Sequence, residues 1–429
     1  LAEVSGYSLS RERFALLFAV MLVAAAGNTA MQSLLPSIGR ELGVPDVLVA
    51  VAFSLSAVLW VFAAPYWAKR ADKRGRRALM RLGLYGFISS MLICGLVVAA
   101  GLAGLLPPLI VFIIFSLGRG VYGACGSASP PAVQAYIAAR TEGEQRTNAL
   151  SAIASSFGLG TIIGPAIAPL FIFQPLGLSG PLIVFAAIGA VVLAAVVFRL
   201  PDDTPKQAAR GRIVEYPSMG GVAAGGAPGE EDSQTSAGLL WTDPRILPWN
   251  IIGVAGGHGH AALLGVIGFL VIDRLNLPAE QAQQPIAIVL MFGAVATLLG
   301  QWWLIPQLHL SPRSLVIWGS AIAAAGSVLV GLAEGIYGLA MSFALASLGF
   351  GLYRPGFTSG ASLAVEPDEQ NAAAGMVTSV NGLPYIAGPG LGVLLYGIWM
   401  PLPFVITGIV MLVLAVWTKL RLRPSAPAA

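Results

Sequence analysis

The chain has 429 residues, 56% of them hydrophobic and only 10% charged, with a mean hydropathy of +0.80. Soluble domains carry roughly 25% charged residues, so this chain cannot clothe a water-soluble globule of its size, and lipid must cover it instead. The net charge of +4 matters less than where the cations sit, and Cys94 and Cys125 lie in separate apolar runs that suggest no disulfide framework.

A spanning helix needs about 20 mostly apolar residues. The first candidate lies near 14–38, behind the short basic stretch SRERF. It is long and followed by many more, so it reads as a span and not a cleaved signal. It carries Asn28 and Gln32 at i,i+4. A second span near 46–68 leads into a loop holding Lys69, Arg70, Lys73, Arg74, Arg76, Arg77 and Arg81. Spans follow near 78–101, 107–130, 148–173 and 180–199, the fourth carrying Arg119 and Tyr122 at i,i+3. The next stretch, 200–246, is rich in Gly, Pro and charge; it cannot bury a core and reads as a flexible linker.

Six more spans lie near 249–271, 284–305, 313–332, 337–362, 371–398 and 401–421. The seventh holds His258 and His260, two of the three histidines in the chain. The tenth carries a stripe of Phe350, Tyr353 and Phe357 beside Arg354, and the eleventh places Asn381 and Tyr385 at i,i+4. Glycine is abundant, at 52 residues, as close packing in lipid favours. The period-two alternation of a β-barrel is absent. The fold class is therefore an all-α membrane protein: twelve transmembrane helices in two six-helix bundles, 1–199 and 247–429, joined by the linker.

The bundles echo one another. LGRGVYG (Leu117 to Gly123) matches LGFGLYR (Leu348 to Arg354), and IIGPAIAP (Ile162 to Pro169) matches IAGPGLGV (Ile386 to Val393), offsets of about 225–231 residues. A repeated six-span unit places a binding site between the halves near the midplane. The Lys- and Arg-rich loops lie on one side, and the alternate loops are nearly bare, Arg40 and Arg274 excepted. The positive-inside rule then puts both termini and the linker in the cytoplasm.

Three stretches resemble motifs of the major facilitator superfamily. In AKRADKRGRRAL, Asp72, Gly75 and Arg76 match its loop motif, although Ala68 and Arg70 replace a usual Gly and Leu. In RGVYG, Arg119 and Gly123 match a buried Arg followed by Gly. GTIIGP, with Gly160, Gly164 and Pro165, resembles the span-five motif of the drug/proton antiporter branch, except that Ala168 and Pro169 replace the usual Gly pair. The resemblance implies the major facilitator fold, alternating access, a gating role for the Asp-Gly-Arg loop and a cavity lined by spans one, four, seven and ten. Residue by residue, each role has a plainer rival. Asp72 either latches a neighbouring helix end or an Arg, or belongs to a solvated anchor. Gly160, Gly164 and Pro165 either kink a helix or simply let it pack closely. The aromatic stripe is either pocket wall or packing.

All 20 Asp and Glu residues fall in loops, the linker or helix ends, with Asp46, Asp273 and Glu334 nearest the membrane. The buried ionisable groups are basic. Arg119 cannot shed its proton and needs a partner: backbone carbonyls, Asn28, Gln32 or an anionic group on a substrate. Histidine near its ordinary pKa of about 6.5 can carry a proton, or each imidazole can stay neutral and hydrogen-bond across helices. Residues two apart on a helix point about 200° from each other, so His258 and His260 can hardly face one cavity. A metal site is not indicated, and no nucleophile–base pair or phosphate loop suggests an enzyme.

The expectation is a monomeric, proton-coupled exporter of the bacterial inner membrane. It would work without a cofactor or nucleic-acid partner, on small amphipathic neutral or anionic organic molecules. Rival readings are an importer or uniporter of one metabolite, and a lipid transporter.

Overall fold

The computed structural model describes residues 9–141, 143–201, 239–366 and 369–422. Most of the expected linker lies outside the described residues, as does the side chain of Asp72. The first half comprises α1 (Arg11–Glu41), α2 (Asp46–Arg74), α3 (Arg76–Leu102), α4 (Pro108–Ala138), α5 (Gly143–Ile167) and α6 (Gly180–Arg199). The second comprises α7 (Leu247–Leu275), α8 (Gln283–Leu308), α9 (Pro312–Leu332), α10 (Gly335–Leu363), α11 (Gln370–Gly382 continued by Pro384–Ile398) and α12 (Leu402–Arg421).

Among the described residues, eleven helices are long and apolar enough to cross a membrane. The twelfth expected span is α11, and it falls short because it is built in two pieces of 13 and 15 residues. Pro384 has no N–H to give to the preceding turn, so the helix breaks at Leu383, and neither piece alone has the length of a span.

Local chemistry sets the helix ends. Ser10 caps α1 by accepting from the backbone N–H of Arg13 at 3.3 Å. Gly75, with φ +83°, makes the break between α2 and α3; a side chain there would meet the steric penalty that L-residues carry at positive φ. The glycine of the Asp-Gly-Arg loop is thus a backbone requirement. Its neighbour Arg76 is buried, and Arg77 donates to the carbonyl of Val197 at the end of α6.

Within the first half, α1 lies along α5, and α3 packs on α6 and α4; within the second, α10 packs on α9 and α8, and α7 on α11. The halves meet where α2 lies on α11 and α5 on α8. The apolar core is distributed unevenly along the membrane normal. At the end holding the α1–α2 and α7–α8 turns, residues of both halves share one core, in which Leu34, Ile38 and Val49 pack with Val266, Phe269 and Ile286. At the opposite end each half keeps its own. Leu17, Leu79, Tyr136 and Leu150 form one, and Ile252, Val316, Phe357 and Met411 the other. The molecule is therefore closed at the first end and divided at the second, the end of the Lys- and Arg-rich loop.

Also at the divided end, Arg245 ties the chain entering α7 to the α10–α11 turn. It donates to Asp243 at 2.8 Å and to Glu369 at 2.7 Å. These hydrogen bonds hold both carboxyls below the usual carboxylate range.

The seam between α1 and α5 explains the GTIIGP stretch. A Cβ on Gly164 would lie 2.1 Å from the carbonyl oxygen of Ala26, and one on Gly160 2.7 Å from that of Leu22. Thr29 Oγ1 donates across this seam to the carbonyl of Gly160 at 3.3 Å. Pro165 stands two residues before the end of α5, where the chain tightens into a 3-10 turn over Ala168–Phe171. Gly164→Ala should therefore cost about 1–3 kcal/mol and lower the thermal unfolding midpoint in detergent. Gly390→Ala, whose Cβ meets nothing within 4 Å, should be near neutral. Equal effects of the two substitutions would contradict the seam.

Candidate functional site

The central cavity lies between the halves. Asn28 and Gln32 of α1, Phe53, Ser56 and Trp60 of α2, and Arg119 and Tyr122 of α4 line one side. Ala261, Leu264, Gly265 and Gly268 of α7, Ile286 and Leu290 of α8, and Tyr385 and Pro389 of α11 line the other. The wall is mostly apolar with a few convergent polar groups, the usual make-up of a small-molecule pocket. Among the described residues, no carboxylate lines it.

Arg119 is its electrostatic centre and is only 3% exposed. Its Nη2 donates to Asn28 Oδ1 at 2.9 Å, and its guanidinium carbon sits 5.2 Å from the Tyr122 ring centroid and 5.6 Å from that of Phe53. Nε and Nη1 are buried and make no hydrogen bond among the described residues. Of the partners open to Arg119 in the sequence, Asn28 takes one donor and two rings share the charge. The glycine four residues on explains how Arg119 arrives there. A Cβ on Gly123 would lie 2.4 Å from the carbonyl oxygen of Ser56, so only glycine lets α4 press this closely on α2. At the same point α4 widens into a π-turn over Tyr122–Gly126, a distortion that recurs at functional sites.

The two histidines have different surroundings. His258 turns back on its own helix, its Nδ1 2.8 Å from the carbonyl oxygen of Val254. His260 lines a smaller hollow with Phe350, Arg354, Gln301 and Thr161, between α5, α7, α8 and α10. Its ring stacks on Phe350 with centroids 4.5 Å apart, and its Nδ1 lies 3.4 Å from the Tyr385 hydroxyl. Tyr385 thus belongs both to the central cavity and to the surroundings of His260.

The other residues expected in the cavity divide. Phe350, Tyr353, Arg354, Phe357 and Asn381 do not line the central space; all five border a small hollow within the second half, and Phe350 and Arg354 also border the hollow shared with α5 of the first half. Tyr353 donates to the carbonyl of Ile252, and a Cβ on Gly253 would lie 2.7 Å from the Phe357 ring, so both rings are packed against α7. Asn381 Nδ2 donates at 3.0 Å to the carbonyl of Val377 in its own helix. Of the stripe on α10, Tyr353 and Phe357 are helix packing against α7, while Phe350 reaches the hollow shared with α5.

Sequence reasoning set aside Asp46 and Asp273 as helix-end charges. In the structure both meet Arg40 at the closed end. Arg40 grips Asp46 with Nε at 2.7 Å and Nη2 at 2.6 Å, and reaches Asp273 at 3.2 Å, while the Tyr396 hydroxyl donates to Asp273 at 2.6 Å. The available signal is Arg40 itself, one of two cations on an otherwise nearly bare side, with an acid six residues downstream.

Comparison with known proteins agrees with this architecture. The family model described as Major Facilitator Superfamily matches residues 16–308. Solute carrier family 22 member 18 of Rattus norvegicus is 26% identical over 370 residues, covering 85% of this chain and 82% of its own. Multidrug resistance protein 2 of Bacillus subtilis is 24% identical over 404 residues, covering 93% and 92%. Among solved structures, the human organic anion transporter MFSD10 (TETRAN) superposes with a TM-score of 0.62 at 16% identity, over 96% of this chain and 100% of that one. A bacterial homolog of the human lysosomal transporter Spinster, inward-facing and occupied, gives 0.70 at 14% identity, over 95% of each chain.

Breaking one side of a buried polar pair costs more than removing both. Asn28→Leu, which strips Arg119 of its hydrogen bond, should destabilise the protein by about 1.5–3 kcal/mol in denaturant titration. Adding Arg119→Met to that variant should restore part of the loss. A double variant less stable than Asn28→Leu alone would argue against the pairing.

Proposed function

The chain belongs to the Major Facilitator Superfamily and is a membrane transporter; from that premise we propose that it exports small amphipathic organic molecules, neutral or anionic, in exchange for protons. It works as a monomer by alternating access. The divided end faces the cytoplasm, on the side of the Lys- and Arg-rich loop, with both termini on that side of a bacterial plasma membrane.

What carries this reading is Arg119. A guanidinium keeps its proton, so in a cavity whose described lining holds no carboxylate it is a fixed positive charge. Two of its donors, Nε and Nη1, lack an acceptor. A carboxylate, sulfonate or carbonyl oxygen would satisfy them with charge-assisted bonds. The apolar wall from Phe53, Trp60, Leu264 and Leu290 would take the rest of an amphipathic molecule. A lipophilic cation would meet the opposite, a like charge with no acid to offset it. The names of relatives include multidrug resistance proteins and, at the level of fold, an organic anion transporter, which supports the class without fixing the substrate.

Proton coupling, in this reading, falls to His260. It sits beside the cavity, one hydroxyl from it through Tyr385, whereas His258 is engaged with its own helix. Binding shifts the inward–outward equilibrium only by differential affinity for the two states. A proton on His260 would add a positive charge beside Arg354, and so change what the cavity prefers to hold.

The test is transport in proteoliposomes under an imposed pH gradient, with a fluorescent aromatic carboxylate and a lipophilic quaternary ammonium dye as probes. The carboxylate should be moved and the dye not. Arg119→Ala should raise KM for the carboxylate about tenfold or more, the size of one lost charge-assisted bond. Robust dye transport that survives Arg119→Ala would refute the assignment. In the same vesicles, His260→Gln should abolish gradient dependence and His258→Gln should keep it; the reverse pattern would move the coupling role to His258.

A further inference from the structure

The closed end is held by more than its apolar core. Arg40 comes from α1, Asp46 from α2, Asp273 from α7 and Tyr396 from α11, so four helices of both halves meet in one polar cluster. The strengths of its bonds are graded. Inside the first half, Arg40 and Asp46 form a two-pronged pair at 2.7 and 2.6 Å. Inside the second half, Tyr396 donates to Asp273 at 2.6 Å. The bond that crosses between the halves, Arg40 Nη2 to Asp273 Oδ2, is the longest at 3.2 Å. These side chains are partly exposed, with 35% for Arg40 and 22% for Asp273, so water can replace the crossing bond when it breaks.

We propose that this cluster is a reversible latch, built so that its cross-half bond can open while each half keeps a satisfied polar pair of its own. Leaving a charge without a partner at low dielectric is costly, and a gate that did so at each cycle would be held shut or held open. Here separation leaves Arg40 with Asp46 and Asp273 with Tyr396. Asp46 and Tyr396 therefore stabilise the open form, and the Arg40–Asp273 attraction stabilises the closed one. A second polar link at this end, from Gln283 to Ser33 and Ser37, carries no charge and has no such division of roles. The inference goes beyond the substrate assignment and rests on alternating access.

The grading yields opposite signs for neighbouring substitutions. Asp273→Asn removes the crossing attraction and should raise the open population. Asp46→Asn and Tyr396→Phe weaken what each half falls back on, and should leave that population unchanged or lower it. A merely structural cluster would respond in one direction to all three. The readout is pulsed EPR on spin labels at Leu105→Cys and Tyr337→Cys, exposed positions of the two halves near this end, in a background with Cys94→Ala and Cys125→Ala. Asp273→Asn should increase the ratio of long to short distances about two- to fivefold, as befits a partly exposed ion pair, and Asp273→Glu should restore the parent ratio. No rise in Asp273→Asn, or an equal rise in Asp46→Asn, would overturn the latch. Tyr396→Phe, which removes one hydroxyl and no charge, keeps the test alive if a charge variant folds poorly. Because the measurement reads a distance and not transport, its failure is separate from failure of the substrate class.

Discussion

Two apolar helices in lipid gain nothing by hiding apolar surface from each other, so what joins them must be close contact between backbones and a few well-placed hydrogen bonds. The whole assembly depends on this constraint. It makes glycine a structural residue wherever one helix carries a functional group to another. Along α1 and α5 the approach is close enough for Thr29 to donate across the seam. Between α4 and α2 the same economy of space at Gly123 brings Arg119 to the central cavity. Family motifs that look like chemistry on paper are in large part statements about how near two backbones must come.

The chemistry then follows from which charges this packing can tolerate. A buried guanidinium costs at least about 2.5–3.5 kcal/mol in a spanning helix, and Arg119 offsets part of that with Asn28 and two aromatic rings. The carboxylates stay at the rim, where Asp46 and Asp273 share Arg40 and water can reach them. Positive charge sits in the centre and paired charge at the mouth. In the proposed function that division would favour electron-rich groups in the cavity and leave opening and closing to partly hydrated ions, whose rearrangement is cheap.

Span count, the two halves and the position of the cavity were legible in the sequence because they rest on composition and periodicity over tens of residues. Asn28, Gln32, Arg119, Tyr122 and Tyr385 were legible as polar residues at helical spacing on spans that meet at the centre. The two imidazoles were separable by the 200° rule alone, and the structure gives them different surroundings. The rest needed three dimensions. Phe357 and Tyr353 have the spacing of a pocket stripe, but spacing does not say which neighbour a face meets, and theirs is α7. The break in α11 hides in the sequence because a proline inside an apolar run does not by itself end a helix, as Pro355 and Pro389 show within theirs. Asp273 and Asp46, 227 positions apart in the chain, look like ordinary helix-end charges until the fold sets them on one arginine.

The unequal division of the core has a thermodynamic corollary. In the proposed cycle, opening the closed end would transfer Leu34, Ile38, Phe269 and their neighbours from contact with one another to water. A change that hydrates apolar surface carries a positive heat capacity. The balance between the two faces of this protein is therefore curved in temperature, and cooling weakens the hold of that core. The molecule's resting orientation is to that extent a property of the water outside it as much as of the bonds within.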